Sequence, residues 1–128
     1  MNGSQGRILV VTPRGRQTGP RTPGMERQEA FATDRMWAGF IRTEPRMVSS
    51  WHHHGEYETA IYVLSGSLRM ESGPGGSDIV EAGPGDFVLV PRGVVHRESN
   101  PSGEPADLIG VRAGRGESTF NVDAPEQT

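Results

Sequence analysis

The run Gly85-Asp86-Phe87-Val88-Leu89-Val90-Pro91-Arg92-Gly93-Val94-Val95-His96-Arg97-Glu98-Ser99-Asn100 decides the fold. Residues 86–90 are rich in β-branched and aromatic side chains and read as a strand. Pro91 and Gly93 then force a tight turn, and 94–99 resumes as a second strand carrying His96. Because turns bound the pair, the direction in which that imidazole projects is reproducible, as a metal site requires.

Upstream lies a second chemical stretch, Trp51-His52-His53-His54-Gly55-Glu56-Tyr57-Glu58-Thr59-Ala60-Ile61-Tyr62-Val63-Leu64-Ser65-Gly66. Side chains alternate along a strand, so His52 and His54 share one face and His53 points to the other. Glu58 follows His54 after three residues and offers a carboxylate for the same site. Glu56 and Tyr57 read as turn residues.

Outward from these stretches the chain is a series of short strands. Candidates fall at 46–52, 58–64, 66–72, 77–81, 86–90, 94–99 and 106–112, separated by Gly- and Pro-rich breaks such as Gly73-Pro74-Gly75-Gly76 and Gly83-Pro84-Gly85. Met36–Ile41 has strand-like apolar and aromatic content, and Met25–Phe31 reads as a helical turn. Before them, Arg7–Val11 is a short apolar strand candidate and Thr12–Gly24 an irregular Arg-, Gly- and Pro-rich arm. One further strand is expected near Ser118–Val122, with a loose polar end from Asp123 to Thr128. The resulting organisation is an arm at 1–24, a barrel at 25–117 and a tail at 118–128. With 128 residues, 18 glycines and 10 prolines, the chain suits one all-β jelly roll or barrel and not a helical bundle.

Composition narrows the chemistry. A net charge of −3 gives no basic field for a polyanion, so nucleic acid is not an expected partner. No apolar run approaches the roughly 18 residues of a membrane span, and a cytoplasmic protein without a membrane partner is expected. The chain has no cysteine, so a metal here must be held by histidine, carboxylate, amide or water.

The stretch from Gly85 to Asn100 resembles the second conserved motif of the cupin superfamily at every defining position, and the stretch from His52 to Gly66 resembles the first in part. The chain is accordingly similar to small single-domain, RmlC-like metal-binding cupins, which implies a double-stranded β-helix (jelly-roll barrel) with a short N-terminal arm. It also implies one divalent transition metal ion, Fe, Mn, Zn, Ni or Co, with His52, His54, Glu58 and His96 as ligands and Glu58 doubling as a catalytic proton acceptor. The family spacing leaves six residues between the carboxylate and Gly66, whereas seven lie between Glu58 and Gly66. Either a bulge restores Glu58 to the interior, or Thr59 faces inward and water completes a three-histidine shell. The family's early glycine, six positions before the first histidine, is here Arg46.

Such a site suits an enzyme acting on a small oxygen-rich or aromatic molecule, either an oxygenase or a non-redox cyclase or isomerase such as a polyketide cyclase. The alternative is a non-catalytic module that binds a small ligand. Ile61, Val63, Phe87, Leu89, Met47 and Met70 are candidate pocket walls, and Arg42, Arg46, Arg69 and Arg112 candidate clamps for a carboxylate or enolate. For each of these, plain core packing or a surface position is the competing reading. The resemblance further implies a homodimer with the N-terminal segment packed across the partner. Removing residues 1–24 is expected to convert a dimer to a monomer in size-exclusion chromatography, and a monomer in both forms would refute this.

Overall fold

Along Glu58–Ser65 the side chains at 59, 61 and 63 are buried while those at 58, 60 and 64 face solvent. This two-residue period marks a strand with one face on a core. In the computed structural model, which describes residues 6–127, the strands in chain order are β1 (Gln17–Thr18), β2 (Met25–Ala32), β3 (Met36–Thr43), β4 (His52–His53), β5 (Glu58–Ser65), β6 (Leu68–Ser72), β7 (Asp78–Ala82), β8 (Phe87–Val90), β9 (His96–Ser99), β10 (Ala106–Ala113) and β11 (Phe120–Asn121). One antiparallel sheet runs β1-β2-β3-β10-β5-β8 and the other β11-β4-β9-β6-β7. Ile41, Ile61, Val63, Leu68, Val88 and Leu108 fill the space between them. The architecture is the expected all-β jelly roll. No helix among the described residues is long and apolar enough to cross a membrane.

Several sequence expectations are corrected. Met25–Phe31 is no helical turn: it is strand β2, hydrogen-bonded to β3, with Met25 and Arg27 buried and Glu26 exposed between them. Cross-strand pairing and burial outweigh the local helical preference of Glu, Arg and Gln. Arg7–Val11 forms no strand, and Ile8 and Val10 project into solvent. Of the candidate strand 46–52 only His52 enters a ladder, although Met47 and Ser49 are hydrogen-bonded to Asn100 and Glu98 beside β9. Phe87 and Leu89 lie on the outer face of β8, 79% and 64% exposed, because the inner face of that strand belongs to Val88 and Val90. They are therefore no part of the core, although both line the cleft beside β7 and β8, whereas Ile61, Val63, Met47 and Met70 are buried in the core. Ser118–Val122 does yield a strand, β11, paired with β4. The first five residues of the expected arm and Thr128 of the expected tail lie outside the described residues.

Asn100, the last residue of the motif that opened the sequence reading, is fully buried and serves structure. Its amide donates to the carbonyl of Glu104 at 2.7 Å and to that of Glu44 at 3.3 Å, while its oxygen accepts from the Ser102 amide and hydroxyl. One side chain thus ties together the turns at two corners of the barrel. The nearby turn at Pro45-Arg46 carries the only non-glycine residue with a left-handed backbone among those described: Arg46, at φ 64°. This is the position where the family pattern has glycine, and the conformation shows why, since only glycine adopts it without a steric penalty. Arg46→Gly is expected to raise stability by about 0.5–1 kcal/mol in urea unfolding, and a loss of stability would contradict the assigned strain.

Candidate metal centre

Strand pairing brings the three histidines together. His52 of β4 stands directly opposite His96 of β9, and His54 follows two residues later on the same face. All three are buried, with ring centroids 4.4–5.1 Å apart. One ligand atom from each ring lies within 4.8 Å of the others. His53 points away as alternation requires: its ring stacks on Phe120 at 4.9 Å and its Nδ1 accepts the Gly55 amide. Gly55 has φ 59°, and a Cβ there would meet the Phe120 ring at 2.8 Å, so the turn that returns the chain after His54 needs glycine.

Each imidazole is oriented by its Nδ1. His52 Nδ1 is 2.8 Å from the Ser50 carbonyl, His96 Nδ1 3.0 Å from that of Val94 and His54 Nδ1 2.6 Å from that of Ser118. A carbonyl only accepts, so each Nδ1 carries the proton and each neutral ring keeps its lone pair on Nε2. Burial holds His96 below its ordinary range, as it does His54, which is pushed down to about 3; the backbone bond opposes this, and the positive charge of Arg112 adds to the lowering of both. Neutral rings with fixed Nε2 lone pairs are what a divalent metal binds, and the buried Nε2 of His96 has no other partner. The donor set therefore fits the metal that the sequence implies.

Glu58 is not brought into this cluster. It lies exposed on the outer face of β5 beside Arg35, Arg92 and Arg115, while Thr59 is buried and faces inward. The one extra residue before Gly66 is absorbed at the far end of β5, where Leu64 is skipped in the pairing of Asp107 with Ser65 and Leu108 with Val63. That bulge lies beyond Thr59, so it leaves the alternation at 58–63 untouched. The buried carboxylate of this region is Glu98, two residues after His96 and therefore on its face of β9. Sequence reasoning missed it, although the same two-residue period marks it. Of the candidate arginine clamps, Arg42 and Arg69 pair with Asp107 and Glu81 at the surface and Arg46 is exposed. Arg112 alone turns inward, opposite Thr59.

A cleft of about 330 Å³ opens between the edges of β7 and β8 and reaches His96 past Met70, Val80, Val88 and Val90. Its walls are largely apolar, and His96 is the member of the histidine cluster that lines it. In protein stripped of metal, the cluster predicts an acid-sensitive fold. The unfolded chain takes up a proton near the ordinary 6.5, whereas His54 in the fold resists it until about 3. The unfolded state thus binds more protons throughout that window, and stability present above pH 6.5 is lost as the pH falls towards 3. Urea midpoints of chelated protein are expected to be lower at about pH 4.5 than at about pH 7, and equal midpoints would contradict it.

Comparison with known proteins agrees with this architecture. Residues 39–112 match the family model described as the Cupin domain. No curated protein matches the chain by sequence. Among solved structures, the polyketide cyclase RemF of Streptomyces resistomycificus superposes with a TM-score of 0.75 at 24% identity over 94% of this chain and 89% of its own. A double-stranded β-helix protein of Klebsiella pneumoniae gives 0.69 at 19% identity over 92% and 98%. Oxalate decarboxylase of Bacillus subtilis gives 0.65 at 23% identity over 77% of this chain and 28% of its own. These structural likenesses speak for the fold, and the family match spans both histidine motifs: the chain belongs to the cupin domain family.

Proposed function

We propose that the chain is a metal-dependent cupin enzyme that carries out a non-redox cyclisation or isomerisation of a small oxygen-rich or aromatic molecule. The observation that supports this reading most is the set of three buried imidazoles, each with its Nδ1 bound to a main-chain carbonyl and each with a ring nitrogen within 4.8 Å of the others. A divalent Fe, Mn, Zn, Ni or Co ion held by His52, His54 and His96 would supply Lewis acidity towards a carbonyl or enolate oxygen. Neutral donors leave the charge of such an ion undiminished, which favours polarisation of a substrate oxygen.

The remaining chemistry falls to the chain. Thr59 presents a neutral hydroxyl at the position where the family pattern has its carboxylate. Glu98, buried on the His96 face of β9, is the group placed to accept a substrate proton, the role that sequence alone assigned to Glu58. The largely apolar cleft between β7 and β8 suits a flat hydrocarbon portion of a molecule that reaches His96. The likeness to the polyketide cyclase RemF is consistent with this class of reaction. We further propose that the protein works as a homodimer, for which the nearly full exposure of Ile8 and Val10, 99% and 85%, is the supporting observation.

Elemental analysis of purified protein is expected to find one divalent transition metal per chain. His96→Ala should lower the metal affinity roughly 100-fold or more, while Glu58→Gln leaves it unchanged. Turnover of a small aromatic polyketide should proceed without dioxygen. Dioxygen consumption coupled to turnover would replace this reading with an oxygenase, and ligand binding without any turnover would replace it with a binding module.

A further inference from the structure

Four buried side-chain atoms have no hydrogen-bond partner among the described residues: His96 Nε2, Arg112 Nε, Arg27 Nε and Thr59 Oγ1. Register and charge place all four in one region. Arg112 of β10 is the cross-strand partner of Thr59 on β5 and of Trp37 on β3, so the Arg112 and Thr59 side chains share the inner face. Its charge acts on both His54 and His96 from there. Arg27, on the inner face of β2, is near enough for its charge to act on Arg112, and both feel Glu98. One of the four atoms is a lone pair fit for a metal. The two guanidinium N–H groups are donors, and the hydroxyl is able to donate, so they await an acceptor.

The other arginine contacts of the chain show how unusual this is. Arg42, Arg69, Arg97 and Arg115 each hold a carboxylate directly, those of Asp107, Glu81, Glu71 and Asp34. Arg27 and Arg112, the arginines whose charge burial opposes most, pair directly with none. Arg27 is held through Nη1 by the Thr22 hydroxyl at 2.8 Å and the Pro20 carbonyl at 3.4 Å, so its position is set by the arm. Arg112 makes no side-chain hydrogen bond among the described residues, and its guanidinium lies over the Trp37 ring at 6.0 Å. Two guanidiniums face the single Glu98 carboxylate in this interior, and a divalent ion would add further positive charge. An anion supplied from outside satisfies the buried donors and compensates the charge together.

We infer that Arg112, supported by Arg27 and the Thr59 hydroxyl, anchors the carboxylate of the substrate beside the histidine cluster, and that the substrate class is a small organic acid bearing a second oxygen function. The second oxygen rests on the proposed metal site; the carboxylate anchor does not. The guanidinium fork fits a planar carboxylate through two parallel hydrogen bonds, which an ammonium group does not reproduce.

Isothermal titration with malonate, acetoacetate and benzoate, alongside neutral malonamide, tests this on metal-loaded and chelated full-length protein. At least one of the acids is expected to bind in the millimolar range or tighter, with malonamide weaker. Arg112→Met should weaken the acid roughly tenfold or more at unchanged metal content, and Arg112→Lys should recover part of the loss. Thr59→Val, nearly isosteric, keeps the test open if the arginine variants fail to fold, and should weaken the acid severalfold. Failure of all three acids to bind, or equal binding by Arg112→Met or by malonamide, overturns the inference. Arg112-dependent binding to a protein that takes up no metal supports the anion anchor while refuting the metal reading.

Discussion

Three hydrogen bonds from imidazole Nδ1 to main-chain carbonyls are the constraint on which the site depends. They set the tautomer and fix the orientation of each ring within a buried region. Two of the carbonyls, from Ser50 and Val94, come from the chain just before the histidine they serve. The third comes from Ser118, sixty-four residues after His54. The segment around β11 is therefore part of the site: Ser118 orients one ring, Phe120 stacks on His53, and Phe120–Asn121 extends the sheet past β4.

The interior divides into two chemical halves. The small sheet contributes the histidines and Glu98; the large sheet faces them with Thr59, Arg112 and Arg27. The inner face of the large sheet accommodates this through missing side chains. A Cβ on Gly39 would meet the Trp37 indole at 2.7 Å, and one on Gly110 would meet Ile41 at the same distance. The indole lies in that space, donating through Nε1 to Glu29, with the Arg112 guanidinium over its ring. Polar groups without partners thus collect where the fold brings the sheets together, and apolar packing continues away from them in Ile61, Val63, Leu68 and Leu108.

Much of this was legible along the chain wherever the physics is local. Turns at Gly85 and Pro91-Arg92-Gly93 bound the strand and aim His96, and strand alternation separates His53 from His52 and His54. Arg46 in place of a glycine was visible as a departure from pattern, but its φ of 64° is a property of the turn. Arg27 was hidden because Met25–Phe31 contains good helix formers, and only pairing with β3 makes it a strand. Phe87 and Leu89 look like core residues by composition; β8 puts them outside because the strand has a single inner face, held by Val88 and Val90.

The sequence by itself determined the all-β class, the histidine triad and the absence of thiolate chemistry, since turn residues, two-residue alternation and composition act over a few positions. The tertiary structure alone decided which of two adjacent residues, Glu58 or Thr59, faces that triad. A single skipped residue inverts every side chain beyond it, and where the skip falls depends on pairing with β10, a strand more than forty residues away. It decided equally that Arg112 and Glu98 turn inward while Arg42 and Arg69 find partners at the surface, because burial and charge pairing are set between strands.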